Sequence, residues 1–577
     1  MNQGEITITI VSCAAFMAVV AIISYLKTRG TVDSRDGYFL AGRGLTGVFI
    51  AGSMLLTNLS AEQLIGLNGS AYGYNMSAMA WEVTAAFATI AMALIFLPRY
   101  LTGAFTTLPE FLRSRFDDSV RRITVILFLV GYGLVTIPSV LYAGSVAVLR
   151  LFDIPELLQV SYEKGLVITI VSVGVIGALY AIFGGLKAVA VSDTINGIGL
   201  LIVGALVPIL GLLALGEGSI SQGVTIITTQ HTEKLSAIGS SDDPVPFGTI
   251  FTGLIFANLF YWCTNQYVIQ RTLAAKNLVE GQKGVLLSGY FKLLVPFFMM
   301  LPGIIAFHLY QDVEMATIDL AYPHLVRDVL PVLLSGFFLA VLLGAVFSSF
   351  NSLLNSAATL FCLDVYVPLR KKPIGDAQLV RIAKFASVII ALFSFMVAPL
   401  LMYAPEGLWQ VIRIFTGFYN IPVVAVVIVG LFTTRVPPIA AKLAISFHVV
   451  AYALLQFVFE IDIHFIHLYA ILFAVEFFMM LLIGQIRPLA QPWHHHNRHK
   501  INLEPWRYAL PTAIVLFSLI VFLYGLFSPL GLVYGLGPEF VWFCAGLAAV
   551  TLWLCRVSLR HWNEYYRQSL AKIAAQD

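Results

Sequence analysis

The sequence predicts an all-α polytopic membrane protein of about fifteen transmembrane spans, and three observations predict it. Of its 577 residues 59% are hydrophobic and 11% charged, where a soluble domain carries about 25% charged residues; mean hydropathy is +0.87. The apolar residues gather into about fifteen stretches, each near the roughly 20 residues that cross a bilayer. Lys and Arg also segregate by side. With the N-terminus outside and strict alternation, 28 of the 34 fall in inside segments or at the inner ends of spans and 4 outside, while Lys292 and Arg413 lie deeper within spans. Positive charge marks the cytoplasmic side, so the C-terminus is expected there.

In order, the stretches lie at about 6–26, 45–72, 76–98, 122–149, 165–183, 189–215, 246–270, 284–308, 328–363, 382–403, 407–434, 438–459, 463–486, 508–529 and 535–555. The first is too long for a signal-peptide core and lacks a basic leader; it is expected to be a retained span. Five spans (45–215) and five more (246–434) flank an outer loop at 216–245. Because five is odd, two such units run in opposite directions, the arrangement of inverted repeats in secondary transporters. Residues 1–44 form an additional span and inner loop, and 435–577 add four spans and a cytoplasmic tail. The five cysteines lie in apolar segments without paired spacing and indicate neither disulfides nor a metal site. His494, His495, His496 and His499 share a polar inner loop and read as solvated rather than as a metal site.

Polar residues inside the spans carry the functional signal, because each unpaired polar group in hydrocarbon costs several kcal/mol. The second span contains Thr57-Asn58-Leu59-Ser60-Ala61-Glu62-Gln63 followed by Gly66 and Gly69, the pattern of a broken helix lining a cavity. Glu62 is expected to tie that helix to its neighbours rather than to touch a ligand. The third span carries Trp81-Glu82-Val83-Thr84, the sixth Asp193, the eighth Lys292 and the eleventh Trp409-Gln410-Val411-Ile412-Arg413. Intramembrane charges of this kind are functional candidates, although a helix–helix hydrogen bond would also account for Glu82, and a pairing with a loop Arg for Asp193. In the seventh span Asn258, Tyr261, Asn265, Gln266 and Tyr267 interleave amides with rings. Amides donate and accept and rings cover an apolar face, which suits a polyhydroxylated ligand. The ninth span places Ser348, Ser352, Asn355, Ser356 and Thr359 on one helical face, next to Ser349. Such residues permit close helix packing; beside freed carbonyls, the upper hydroxyls also suit Na⁺.

Together these segments resemble the sodium/solute symporter family, specifically its sodium/sugar branch. The resemblance rests on Asn58-Leu59-Ser60-Ala61-Glu62-Gln63, Gly184-Gly185-Leu186-Lys187-Ala188, Asn265-Gln266-Tyr267 through Gln270-Arg271-Thr272-Leu273-Ala274-Ala275-Lys276, and Ser348-Ser349 with Asn355-Ser356. It implies a LeuT-type inverted repeat of two five-helix units. It implies a sodium site formed by the carbonyls of Leu56, Leu59 and Ala345 and the hydroxyls of Ser348 and Ser349. It implies a sugar site lined by Gln63, Glu82, Asn258, Tyr261 and Lys292, with Tyr261 and Asn265 at the inner gate and Leu67, Trp81 and Trp409 near the outer one. Asp193, with Asn351 and Ser352, corresponds to a sodium exit route or second sodium position. Two departures stand out: Arg413 replaces the family's sugar-binding Gln, and Ala85 replaces a serine after the third-span Glu. Arg forms bidentate bonds with carboxylates, so Arg413 admits a sugar acid as substrate.

The expected function is sodium-coupled symport of a hexose-like sugar or related polyol through the plasma membrane (the inner membrane of a Gram-negative cell). The partners are a small-molecule solute, a sodium ion and the lipid bilayer, with no nucleic acid. The rivals are a symporter for an anionic sugar, a proton-coupled version using Glu82 or Asp193, and a membrane sensor that binds solute without net transport. No nucleophile–base constellation appears at mid-depth, so the chain is not expected to be an enzyme.

Overall fold

The computed structural model describes residues 3–28, 34–151, 154–313, 315, 317–370, 373–403, 408–459, 463–494, 497–498 and 501–574; the side chains of 3, 6, 62, 150–151, 180–184, 333, 408–414 and 574 lie outside that description. Among the described residues the regular structure is helical. The single exception is a bridge between Leu45 and Ala275.

Twelve helices are long and apolar enough to cross a membrane, and two bent pairs bring the number to fourteen. The remaining sequence stretch, 246–270, contains the shorter apolar helix Gly253–Thr264. Its shortness has a cause. Phe260–Thr264 is wound as a π-turn, with the Asn265 N–H bonded to Phe260 O at 2.9 Å, and Asn265 itself is extended before the helix restarts as Gln266–Leu273.

The second span is interrupted at the matching place. Gly47–Asn58 stops, Leu59 and Ser60 leave helical geometry, and Ala61–Gly73 resumes. The two halves meet at 57°. A continuous helix would pair the Ser60 N–H with the Leu56 carbonyl; here Ser60 N–H goes to Asn58 O at 3.0 Å. The first helix of each five-span unit is therefore broken. The Leu45–Ala275 bridge sets the start of the second span beside the end of the seventh: Leu45 N–H bonds Ala274 O at 3.1 Å and Lys276 N–H bonds Leu45 O at 3.0 Å. Two equivalent helices placed start-to-end run in opposite directions, as inverted units must.

The fifth and sixth spans, Tyr162–Leu179 and Gly185–Leu215, are separated at Gly185, whose φ of 58° and ψ of −167° only glycine tolerates. A Cβ there would also sit 2.9 Å from Tyr38 O. One hydrophobic core runs from Cys13 to Leu570 and joins both units to the added helices. The C-terminal segment is fastened at Gln282, which donates to Ala93 O and Tyr566 Oη and accepts from Trp506 N–H.

Candidate functional site

The two helix breaks face one cavity of about 120 Å³. The second span contributes Thr57, Asn58, Ser60 and Gln63, and the third Trp81, Glu82 and Ala85. Thr136, Ser139 and Val140 come from the fourth span. The seventh supplies Asn258, Phe260, Tyr261, Trp262, Asn265 and Tyr267, with Ser349 and Leu353 from the ninth and Thr416, Tyr419 and Asn420 from the eleventh. Five amides and several hydroxyls thus alternate with six aromatic rings.

Charge in this wall is balanced. Lys292, fully buried, pairs with Glu82 Oε2, and its ammonium lies 5.4 Å from the Trp262 ring. Gln63 Nε2 donates to the other Glu82 oxygen at 3.2 Å. That bond orients the amide and turns Gln63 Oε1 away from the carboxylate. Gln63 Oε1, Asn58 Oδ1, Asn420 Oδ1 and Ser139 Oγ are all buried without a hydrogen-bond partner among the described residues. A buried polar atom left so costs about 1–3 kcal/mol, and four around one cavity point to a ligand that would satisfy them. Asn258 Nδ2 is committed to Thr84 Oγ1 at 2.9 Å. The ring cluster is tied through Tyr132, whose hydroxyl donates to Asn265 Oδ1 at 2.5 Å and whose ring meets Tyr267 edge-on at 5.7 Å. Tyr261 packs on both Tyr267 and Trp262.

A second polar cluster lies beside the second-span break. Ser349 Oγ donates to Thr57 O at 3.0 Å, and Thr57 Oγ1 meets Ser352 Oγ at 3.1 Å. Ser53 Oγ donates to Asp193 Oδ2 at 2.6 Å and accepts from Arg271 Nε at 2.9 Å. Arg271 also donates to Ser352 Oγ and Tyr267 O. Asp193, Ser348, Asn351 and Asn196 line a separate space of about 20 Å³. Hydroxyls, an amide oxygen and one carboxylate are hard oxygen donors of the kind that suits an alkali cation rather than a transition metal. Among the described residues no three His, Cys, Asp or Glu side chains are grouped to hold a metal.

The structure therefore brings together Gln63, Trp81, Glu82, Asn258, Tyr261, Asn265 and Ser349 at one cavity, with Lys292 behind Glu82. Ser348, Asn351 and Asp193 share the smaller space, and Ser352 joins the two clusters. Leu56, Leu59, Leu67 and Ala345 are buried but line neither space. The side chains of Arg413, Trp409 and Glu62, and His495, His496 and His499, lie outside the described residues.

Sequence reasoning missed several participants. Arg271, counted with the inner-loop charges, is fully buried. Ser53 lies four residues before Thr57, one helical turn away, and that spacing was a usable signal. Ser139 follows Pro138 and Asn420 lies two residues before Pro422, both in mostly apolar stretches, and nothing local distinguishes them from packing residues.

A family model described as the sodium:solute symporter family matches residues 38–441. The uncharacterized symporter YidK of Escherichia coli K12 is 44% identical, covering 96% of this chain and 97% of that protein. A sodium/glucose cotransporter of Vibrio parahaemolyticus is 32% identical over 75% of this chain and 82% of its own length. A sodium/myo-inositol cotransporter 2 of Bos taurus is 31% identical over 75% and 67%. Among solved structures, a Na⁺-coupled sialic acid symporter in a substrate-bound outward-open state superposes with a TM-score of 0.71 at 20% identity, covering 83% of this chain and 97% of that one; at that identity the likeness concerns the fold. Matches of this extent settle the class: the chain is an integral multi-pass membrane protein that belongs to the sodium:solute symporter family, with sodium as its coupling ion.

Proposed function

We propose that the chain imports a neutral hexose-like sugar or related polyol together with sodium by alternating access. The observation that carries this reading is the cavity between the two helix breaks. Its one described carboxylate is neutralised by Lys292, while unpartnered amide oxygens and a hydroxyl face the space among aromatic rings. Acceptors of this kind suit a ligand rich in hydroxyl donors, and rings suit the C–H faces of a sugar or cyclitol. The names of the glucose and myo-inositol cotransporters among the relatives support the same substrate class.

In this reading Gln63, Glu82, Asn258 and Lys292 hold the solute, assisted by Asn58, Ser139 and Asn420. Tyr261 and Asn265 form the inner gate and Trp81 the outer wall. Sodium binds where the second span breaks, between its freed carbonyls and the hydroxyls of Ser348 and Ser349. Asp193, Asn351 and Ser352 line its route towards the cytoplasm. Sodium and solute stabilise the same packing of the broken helix against the ninth span, so each raises the other's affinity by an equal factor. The membrane potential adds about 2.3 kcal/mol per charge per 100 mV to the driving force.

Uptake of labelled D-glucose and myo-inositol into proteoliposomes, with an inward Na⁺ gradient and with K⁺ in its place, tests the proposal. Accumulation is expected only with Na⁺. Uptake indifferent to sodium and unaffected by Ser349→Ala would overturn it. Accumulation of a sugar acid alone would replace the neutral substrate by an anionic one.

A further inference from the structure

The twelfth and thirteenth spans, Pro438–Phe457 and Phe465–Ile486, carry a charged pair that no part of the solute or sodium reading uses. His448 and Glu476 are both fully buried, in helices that begin near or beyond the end of the family match. His448 Nδ1 lies 2.5 Å from Glu476 Oε1, and His448 Nε2 lies 3.0 Å from the Gly417 carbonyl of the eleventh span. Intramembrane ionisable groups are costly and call for a function.

The proton content of this pair follows from its partners. A carbonyl oxygen only accepts, so Nε2 carries a hydrogen. Nδ1 faces a carboxylate oxygen, so one further proton lies between them. Imidazolium with carboxylate, or imidazole with carboxylic acid, places that same proton at either end, and both forms are neutral overall. Its removal would leave a lone pair against a buried anion, with Glu476 Oε2 already lacking a partner. Among the described residues no other charged side chain meets the pair; the neighbouring titratable groups are Tyr452, stacked on the imidazole at 5.5 Å and 15°, and Tyr469 beyond it at 6.1 Å.

What the pair holds is the wall of the cavity. Gly417 lies between Thr416 and Tyr419, with Asn420 one turn on, and those three residues line the cavity. At Gly417 the contact is close enough that an added Cβ would sit 2.4 Å from Tyr452 Oη. We propose that His448 and Glu476 form an intramembrane hydrogen-bonded tie whose function is to position the eleventh span at the solute cavity. They set the affinity for solute through Gly417 without touching it; the inference rests on reading that cavity as the solute site.

Two variants separate positioning from mere packing. In Glu476→Gln the amide donates to Nδ1 of a neutral imidazole, and Nε2–H still reaches Gly417. Uptake of labelled D-glucose and myo-inositol is expected to keep its KM within about twofold. His448→Leu combined with Glu476→Leu removes both charges at once, a replacement that buried pairs commonly tolerate in folding. Its KM is expected to rise about tenfold, the effect of one lost hydrogen bond of positioning, with Vmax within about twofold. Backbone amide exchange in 415–424, measured on purified protein without solute, is expected to quicken by a similar factor. A double variant with unchanged KM and exchange, or Glu476→Gln behaving like the double variant, would overturn the proposal. If the wild type takes up neither sugar, the solute reading fails and amide exchange alone decides this one.

Discussion

The Glu82–Lys292 pair admits a quantitative test. Both groups are almost fully excluded from solvent and in direct contact, and among the described residues only Gln63 otherwise supports the carboxylate. At about 3 Å and an effective dielectric constant near 20, their attraction is about 5–6 kcal/mol. Desolvation of two charges offsets most of it, so the pair contributes little net stability. Removing one partner is different, because the other charge stays buried; the expected cost is about 3–5 kcal/mol. Lys292→Met should therefore destabilise the protein strongly. Glu82→Gln added to Lys292→Met leaves no unpaired charge and should recover stability to within about 1 kcal/mol of wild type. Solute affinity should not recover, because the double variant lacks the charged Glu82 acceptor that lines the cavity. Thermal unfolding of detergent-purified protein, with solute titration of the same samples, reads both quantities. A double variant no more stable than Lys292→Met, or one that binds solute like wild type, would refute the reasoning.

Three further outcomes are expected. Ser349→Ala removes the hydroxyl that bridges the ninth span to Thr57 O and should raise the sodium concentration for half-maximal uptake about tenfold, since the proposed sodium site would lose one neutral oxygen ligand together with that hydrogen bond; uptake titrated with NaCl at constant ionic strength measures it. Asn420→Leu and Ser139→Ala replace unpartnered buried polar atoms by apolar ones, so solute affinity should fall by about 1–3 kcal/mol each while thermal stability without solute holds or rises. Gly185→Ala forces a side chain into backbone geometry reserved for glycine and against Tyr38 O; strain of about 1–3 kcal/mol should lower the unfolding temperature without changing the apparent affinity for sodium.

Much of the candidate site was legible because a membrane makes polar residues conspicuous. Gln63, Glu82, Asn258 and Lys292 stand out in apolar stretches, and the cost of burying them licenses a functional reading before any geometry is known. The break at Asn58–Ser60 was legible for the same reason. The break at Asn265 was less so, because its π-turn depends on the backbone path and Phe260–Thr264 reads as ordinary helix. Arg271 shows the limit of counting charges by side: its position after Gln270 resembles a span end, yet Ser53, Ser352 and the Tyr267 carbonyl enclose it. Ser139 and Asn420 became visible only once helices from both units were set around one space.

The sequence by itself determined that this chain lives in a bilayer and crosses it many times, about fifteen by hydropathy against twelve to fourteen spanning helices in the structure, and parity makes two five-span units run in opposite directions. These follow from local hydropathy, charge and parity, which need no contact between distant residues. Only the tertiary structure decided which polar groups meet. Glu82 lies 210 residues from Lys292, Ser53 218 from Arg271, and Thr57 292 from Ser349. Pairings over such separations are set by how helices pack, and packing depends on the shapes of both surfaces together. That is why the His448–Glu476 pair, two isolated polar residues in the sequence, emerges as a tie to the cavity wall only in three dimensions.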